Sequence, residues 1–277
     1  MSERFTPSES FVTRHSIQPN RKAGEKSAEQ YFGISEAGVE LAKKRARGML
    51  ESIKQAEEGT VLAFIGASEA DRTKATIRIY GDELARLVDD EGNEDIQVLT
   101  QDDIDSEARM AQNIQHFADI INSNPKKKFV IATPLYLKEL KLQDRWQNPN
   151  GHWASEYSKK IFEDNNYDNQ AVLEEWLKNQ GRLEGLVGPN PKTVAEEELA
   201  GLTRIKEFVA KFVPNRPIQT GFVGHTPNIE ALAIYLANDG RVDTEGFEKI
   251  GGKSFSESEM IEIKKDCVVL PSGKFKL

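Results

Sequence analysis

The apolar runs of this chain are short, unbroken and punctuated, and they constrain its fold more than any other feature. Val61-Leu62-Ala63-Phe64-Ile65 lies between Gly59 and Gly66, and Phe129-Val130-Ile131-Ala132 follows Lys126-Lys127-Lys128, a solvated turn. A strand with one wet face alternates apolar and polar positions, whereas a run of four or five apolar residues suits a strand covered on both faces. Long segments of helical character separate the runs. Strands buried on both faces and alternating with helices predict an α/β chain: a three-layer α/β/α domain with a mostly parallel central sheet.

Two more runs end in histidine. Phe11-Val12-Thr13-Arg14-His15 stands near the start and Gly221-Phe222-Val223-Gly224-His225 near the end. If both are parallel strands, their imidazoles meet at the carboxyl edge of one sheet, where open α/β folds bind ligands. Arg14 adds a planar fork of donors suited to phosphate oxygens.

The remaining elements follow from caps and punctuation. Ser35 is placed to cap a helix running to about Ile53, and a second helix spans Asp71 to Val88. After the acidic turn Asp89 to Asp95 come a short strand, Ile96 to Leu99, and a helix from Asp105 to Ile121. Thr193 to Phe212 is helical, Pro214 and Pro217 end it, and a helix from Pro227 to Asn238 follows His225. Met260 to Ile263 and Val268 to Leu270, before the turn Pro271-Ser272-Gly273, read as antiparallel strands at the sheet edge. Residues 1–277 form one domain, with inserted segments near 89–128 and 141–191. In the second, Trp146, Trp153, Tyr157, Phe162, Tyr167 and Trp176 lie among Asn, Asp and Lys. That insert is a lid over the site or a small subdomain packing its own aromatics. The lid reading would use Arg145 or His152 to select the substrate.

Composition excludes several classes. A net charge of -8 speaks against a general nucleic-acid or anionic-membrane surface, so any anion site is local. Cys267, the single cysteine, forms no internal disulfide, and the four histidines show no metal-type spacing. No apolar run approaches the roughly 20 residues of a membrane span, and the polar start lacks a signal-peptide core. The expectation is a cytoplasmic protein without metal or cofactor.

Several separated motifs, in order, resemble the histidine phosphatase superfamily, which includes the phosphoglycerate mutases. Thr13-Arg14-His15-Ser16 is similar to its Arg-His-Gly motif, and Gly33 to Ala42 to its Leu-Thr-x-x-Gly-x-x-x-Ala helix start. Ser68, Arg72 and Thr76 reproduce its Ser-x-x-x-Arg-x-x-x-Thr spacing, and Val223-Gly224-His225-Thr226 its second histidine segment. The resemblance spans residues 11 to about 236. It implies a phosphoglycerate mutase-like fold, His15 as nucleophile, and Arg14, Arg72 and His225 stabilising the phosphoryl oxygens. It also implies a carboxylic acid that protonates the leaving alcohol. Glu139, in Leu137-Lys138-Glu139-Leu140, is the leading candidate, with Asp102 or Asp103 as the fallback.

The departures are informative as well. Ser16 replaces the usual glycine, Asn20 stands one position early, and Ile17-Gln18 replaces a Glu-Ser or Glu-Thr pair, which weighs against mutase specificity. His116, within a helix, and His152, in the insert, read as structural or solvent-facing. The expected activity is metal-independent hydrolysis of a small phosphomonoester through a phosphohistidine. A phosphoglycerate mutase-like phosphotransferase and a non-catalytic phospholigand-binding protein are the alternatives. Neither the substrate nor the oligomeric state is encoded in a recognisable way.

Overall fold

A computed structural model describes residues 9–20, 23–134, 145–148 and 152–277. The first half runs β1 (Ser10–Arg14), α1 (Glu36–Gln55), β2 (Val61–Ala67), α2 (Asp71–Asp90), β3 (Ile96–Leu99), α3 (Met110–Ser123) and β4 (Lys128–Ile131). Then come α4 (Glu156–Asp164), α5 (Asn169–Asn179), the hairpin strands β5 (Arg182–Leu183) and β6 (Leu186–Val187), and α6 (Pro191–Ala210). The last part contains β7 (Ile218–Gly224), α7 (Asn228–Ala237), α8 (Thr244–Lys249), β8 (Met260–Ile263), β9 (Cys267–Leu270) and β10 (Gly273–Lys276).

One eight-stranded sheet has the order β10-β9-β8-β1-β7-β2-β4-β3. From β1 to β3 every neighbouring pair is parallel, and β8, β9 and β10 extend the β1 side with antiparallel pairs. β2 shows why the sheet needs two helical layers. Val61, Ala63 and Ile65 enter one hydrophobic cluster with residues of α3, α6 and α7, while Leu62 and Phe64 enter another with α1 and α2. Both faces are therefore apolar and both are covered, giving the three-layer α/β/α arrangement. α1 turns Val39, Ala42, Ala46, Met49, Leu50 and Ile53 inward at helical spacing, and Ser35 caps it by accepting from the Gly38 amide at 3.1 Å.

Several elements differ from the sequence reading: α6 runs Pro191–Ala210 rather than Thr193 to Phe212, and the short strands β5, β6 and β10 have no counterpart there. α3 begins at Met110 rather than Asp105, because Asn113 bonds both the amide and the carbonyl of Asp105 and the Asp105 carboxylate takes the Glu107 amide. These local side-chain bonds compete with the helical ladder. Gly273–Lys276, too brief and polar for a strong strand signal, pairs with β9 at the sheet edge.

The aromatic segment packs into the cluster beneath α6 and α7. Trp146 stands edge-on to Trp176, ring centroids 5.2 Å apart at 83°, and the buried Trp176 indole donates to the Pro189 carbonyl at 2.6 Å. Gly188 is required there, since a Cβ would lie 2.0 Å from Tyr157 Cδ1. At the amino-terminal edge of the strands, Arg216 donates to the carbonyls of Gly59, Ile121 and Lys127 at 2.6, 3.0 and 2.7 Å. Among the described residues no helix is long and apolar enough to cross a membrane.

Candidate active site

Strand register builds the site. β1 pairs with β7 so that Arg14 lies opposite Gly224, and the next residue of each strand is a histidine. His15 and His225 consequently stand side by side, ring centroids 5.3 Å apart and planes at 57°. On the other side of β7, β2 pairs Ala67 with Val223, which delivers Ser68 to the same edge, and α2 starts three residues later with Arg72 in its first turn. A cavity of about 130 Å³ opens there, lined by Arg14, His15, Arg72 and His225. Trp146, Trp153 and Phe162 give it an aromatic wall, and Gln18, Gln147, Asn169 and Thr226 complete the lining.

The hydrogen bonds fix the roles available to each ring. His15 Nδ1 lies 2.8 Å from the Ser16 carbonyl oxygen, an acceptor only, so Nδ1 carries the proton and Nε2 keeps its lone pair. Burial holds the His15 pKa well below the usual histidine value, and the neighbouring His225, Arg72 and Arg14 push it the same way. The ring is thus neutral at physiological pH. His225 Nδ1 accepts from Arg72 through Nε at 3.3 Å and Nη2 at 3.2 Å, which leaves its Nε2 as donor to Ser68 Oγ at 2.6 Å. Burial, then Arg72 and Arg14, lower this pKa also.

The segment after His15 is held from two sides. The Ser16 amide donates to Thr76 Oγ1 at 3.0 Å, and Ser16 Oγ donates to the Gly38 carbonyl at 2.6 Å. The Ser35 amide donates to the Ile17 carbonyl at 2.9 Å. Gly38 brings α1 so close that an added Cβ would meet the Ile17 oxygen at 2.4 Å. Both flanks of the Ser-x-x-x-Arg-x-x-x-Thr spacing therefore have work: Ser68 orients His225, and Thr76 anchors the His15 loop.

Arg14, 8% exposed, donates through Nη1 to the Phe255 carbonyl and through Nη2 to Glu257 Oε1 at 3.0 Å. Its Nε is buried without a partner among the described residues. Phe255 is gripped at its other end by Glu230, whose Oε1 accepts the Phe255 amide at 2.9 Å together with Thr226 Oγ1 at 3.1 Å and Ser254 Oγ at 3.2 Å. Burial pushes the Glu230 carboxyl up, opposed by Arg14 and its hydrogen-bond donors.

Four of the residues singled out in the sequence, Arg14, His15, Arg72 and His225, are thus brought to one cavity. Glu139 lies outside the described residues. Asp102 and Asp103 are exposed and absent from the cavity lining; Asp103 closes a short 3-10 turn by accepting the Thr100 amide at 2.7 Å. Asn20 sits on the surface, accepting the Ala23 amide at 3.2 Å, and His116 and His152 are exposed. Arg145 is ion-paired with Glu197. The sequence reading missed Glu230 and Glu257, while Trp153 and Phe162, named there among the insert aromatics, line the cavity as the lid alternative would have them. Glu230 did carry a signal, being the one charged residue in the run Ile229 to Ala237. Among the described residues no group of three His, Cys, Asp or Glu side chains is arranged to hold a metal ion.

No protein-family model matches the chain, and no curated protein matches it by sequence. Solved structures similar to it include a mycobacterial glucosyl-3-phosphoglycerate phosphatase, 14% identical, covering 92% of this chain and 89% of its own, with a TM-score of 0.42. A phosphoserine phosphatase of Entamoeba histolytica is 12% identical over 92% of this chain and 89% of its own, with a TM-score of 0.40. Mycobacterial hydrolase 1 is 12% identical over 94% and 91%, with a TM-score of 0.42. Functional assignment therefore rests on the residues of the cavity.

Proposed function

We propose that this protein hydrolyses a small phosphomonoester, without a metal, through a phosphohistidine formed on His15. The observation that carries the reading is the state of His15: a neutral imidazole whose Nδ1 proton is engaged by the Ser16 carbonyl, beside His225 and two arginines. An imidazole attacks phosphorus only with a free lone pair, and the charge that spreads over the phosphoryl oxygens needs fixed cations and donors around it. Both are supplied at one edge of the sheet.

In the first step the Nε2 lone pair forms the N–P bond in line with the ester oxygen as the O–P bond breaks. Arg14, Arg72 and His225 take the equatorial oxygens. The departing alkoxide takes a proton from a carboxylic acid, a contribution of roughly 10² to 10⁴ in rate, and Glu139 is the residue assigned to it from its motif. In the second step water forms a new O–P bond, the N–P bond breaks, and the carboxylate receives the proton of the water. Ser68 and Arg72 hold the His225 ring so that Nε2 faces Ser68 before a phosphate oxygen competes for it.

The test is turnover of p-nitrophenyl phosphate in excess chelator by wild type and His15→Ala, with trapping of acid-labile phosphate on the protein. Turnover that survives chelation, disappears in the variant and leaves label on His15 is the expected result. Retained turnover in His15→Ala sinks the mechanism, and phosphate binding without turnover of any ester points to the non-catalytic alternative.

A further inference from the structure

Glu198 is a carboxyl group in an apolar setting. It lies on α6, 3% exposed, on the helix face that also carries Val194, Ala195, Leu202 and Ile205. Its Oε1 accepts from Asn228 Nδ2 at 3.2 Å. The other end of the same amide, Oδ1, accepts the indole N–H of Trp146 at 3.0 Å. Trp146 reaches the cavity wall and stands edge-on to Phe162, a second wall residue, with centroids 5.7 Å apart. Asn228 is the first residue of α7, three positions beyond His225. One chain of hydrogen bonds therefore runs from α6, through the start of α7 just beyond His225, to the aromatic wall of the cavity that His15 and His225 also line.

The chemistry of the chain fixes its direction. An indole offers one donor and no acceptor, so Asn228 must present its oxygen to Trp146 and its NH2 to Glu198. Removing the carboxyl would leave a buried amide unsatisfied and free to turn, and the indole would lose its fixed acceptor. We infer that Glu198 is a positioning residue that acts through Asn228 to hold Trp146 and the His225 turn in the geometry that binds the phosphoryl group. This rests on the hydrolase reading for the identity of the ligand, while the coupling itself is a property of binding.

The surroundings of Glu198 make the device sensitive to pH. Burial pushes its carboxyl up to about 7; Arg145, the Asn228 donor and Arg204 oppose the rise, and the neighbouring Glu197 adds to it. Glu197 is itself paired with Arg145, the residue before Trp146. An ionised carboxylate grips the Asn228 NH2 more strongly than a protonated one, since a hydrogen bond to a charged acceptor is about twice as strong. Phosphate affinity therefore carries a component that follows Glu198.

The experiment measures the dissociation constant of inorganic phosphate by calorimetry, and KM and kcat for p-nitrophenyl phosphate, from pH 6 to 8. The forms compared are wild type, Glu198→Gln, Glu198→Leu, Trp146→Phe and the Leu/Phe double variant. Glu198→Leu is expected to raise Kd and KM about tenfold with kcat changed less than about threefold. Glu198→Gln, which keeps an acceptor, is expected to stay within twofold at pH 6 and to lose the part of the pH dependence that wild type shows near 7. Trp146→Phe should match the leucine variant, and the double variant should be no worse than either single one. Unchanged Kd and KM in Glu198→Leu, additive losses in the double variant, or a glutamine form as impaired as the leucine form would overturn the inference. If Glu198→Leu does not fold, an unchanged Kd in Trp146→Phe does the same. Phosphate binding without turnover in wild type refutes the hydrolase and leaves Kd to decide this point, and failure of wild type to bind phosphate removes both.

Discussion

Replacing Gly38 by alanine sets two effects of opposite sign against each other. Gly38 lies inside the first turn of α1, where alanine is the better helix former by about 1 kcal/mol. The new Cβ, however, would sit 2.4 Å from the Ile17 carbonyl oxygen and 2.8 Å from Ile34 Cγ2. An ordinary carbon–oxygen contact needs roughly 0.8 to 1 Å more than the first of these, and the obstacle is backbone that the Ser35 amide already holds at 2.9 Å. Overpacking of this kind costs about 1–3 kcal/mol, and the Ser16 Oγ bond to the Gly38 carbonyl, worth about 1 kcal/mol, goes with the displaced helix. The steric term wins, for a net loss of about 2 kcal/mol. Ile17 is two residues from His15, so a shift approaching 1 Å there is expected to lower kcat/KM about 100-fold. Urea unfolding measures the first quantity and p-nitrophenyl phosphate turnover the second. A variant as stable as wild type, or one destabilised with full activity, would refute the claim that this close approach sets the position of the His15 loop.

Two further outcomes follow from buried ionisable groups. Because burial and cationic neighbours hold His15 and His225 below the usual histidine value, both rings stay neutral until the pH falls under their depressed pKa values. In Glu198→Gln, where the limb owed to that carboxyl is removed, the acid limb of kcat/KM, corrected for ionisation of the substrate, is expected below pH 6.5; a limb at or above 6.5 in that variant contradicts the description of the site. Glu198 titrates in the folded protein near 7 instead of 4.5, so in that window the unfolded chain is ionised while the folded one keeps its proton. Its contribution to stability is present below pH 4.5 and is lost as the pH rises through 7, by about 3 kcal/mol at about 1.4 kcal/mol per pH unit. Glu198→Gln should accordingly equal wild type near pH 4.5 and exceed it by up to about 3 kcal/mol at pH 8 in urea midpoints, and an unchanged difference across that range would count against it.

The sequence exposed those parts of the fold that depend on local pattern. Val61 to Ile65 announced a doubly covered strand because five successive apolar side chains have no other economical location. His15 and His225 could be paired because each ends such a run, and the register of Arg14 with Gly224 then leaves them no choice but to meet. Ser68 and Thr76 were visible only as the flanks of a spacing, and their tasks emerged from contacts with His225 and Ser16. Contacts distant in sequence stayed hidden. Arg14 meets Phe255 and Glu257 across more than 240 residues, and nothing local in either segment records that meeting. The aromatics of the insert showed weak periodicity because they pack on one another from several elements, Trp146 against Trp176 and Phe162, Trp153 against Phe162, instead of lining one helix face.

The central place of β1 bears on how the protein assembles. β1 leads directly into His15, yet its only strand partners among the described residues are β7 and β8, with Ser10 opposite Thr220 on one side and Ile263 on the other. Synthesis makes β1 more than 200 residues before either of its partners. The closure entropy of loops of more than 200 residues must be met before those contacts form, which places them late in folding. The helices α1 and α2 and strands β2 to β4 can associate earlier, so the edge where His15 meets His225 is completed late: a chain halted before β7 would display β2, β4 and β3 side by side and β1 with neither strand partner.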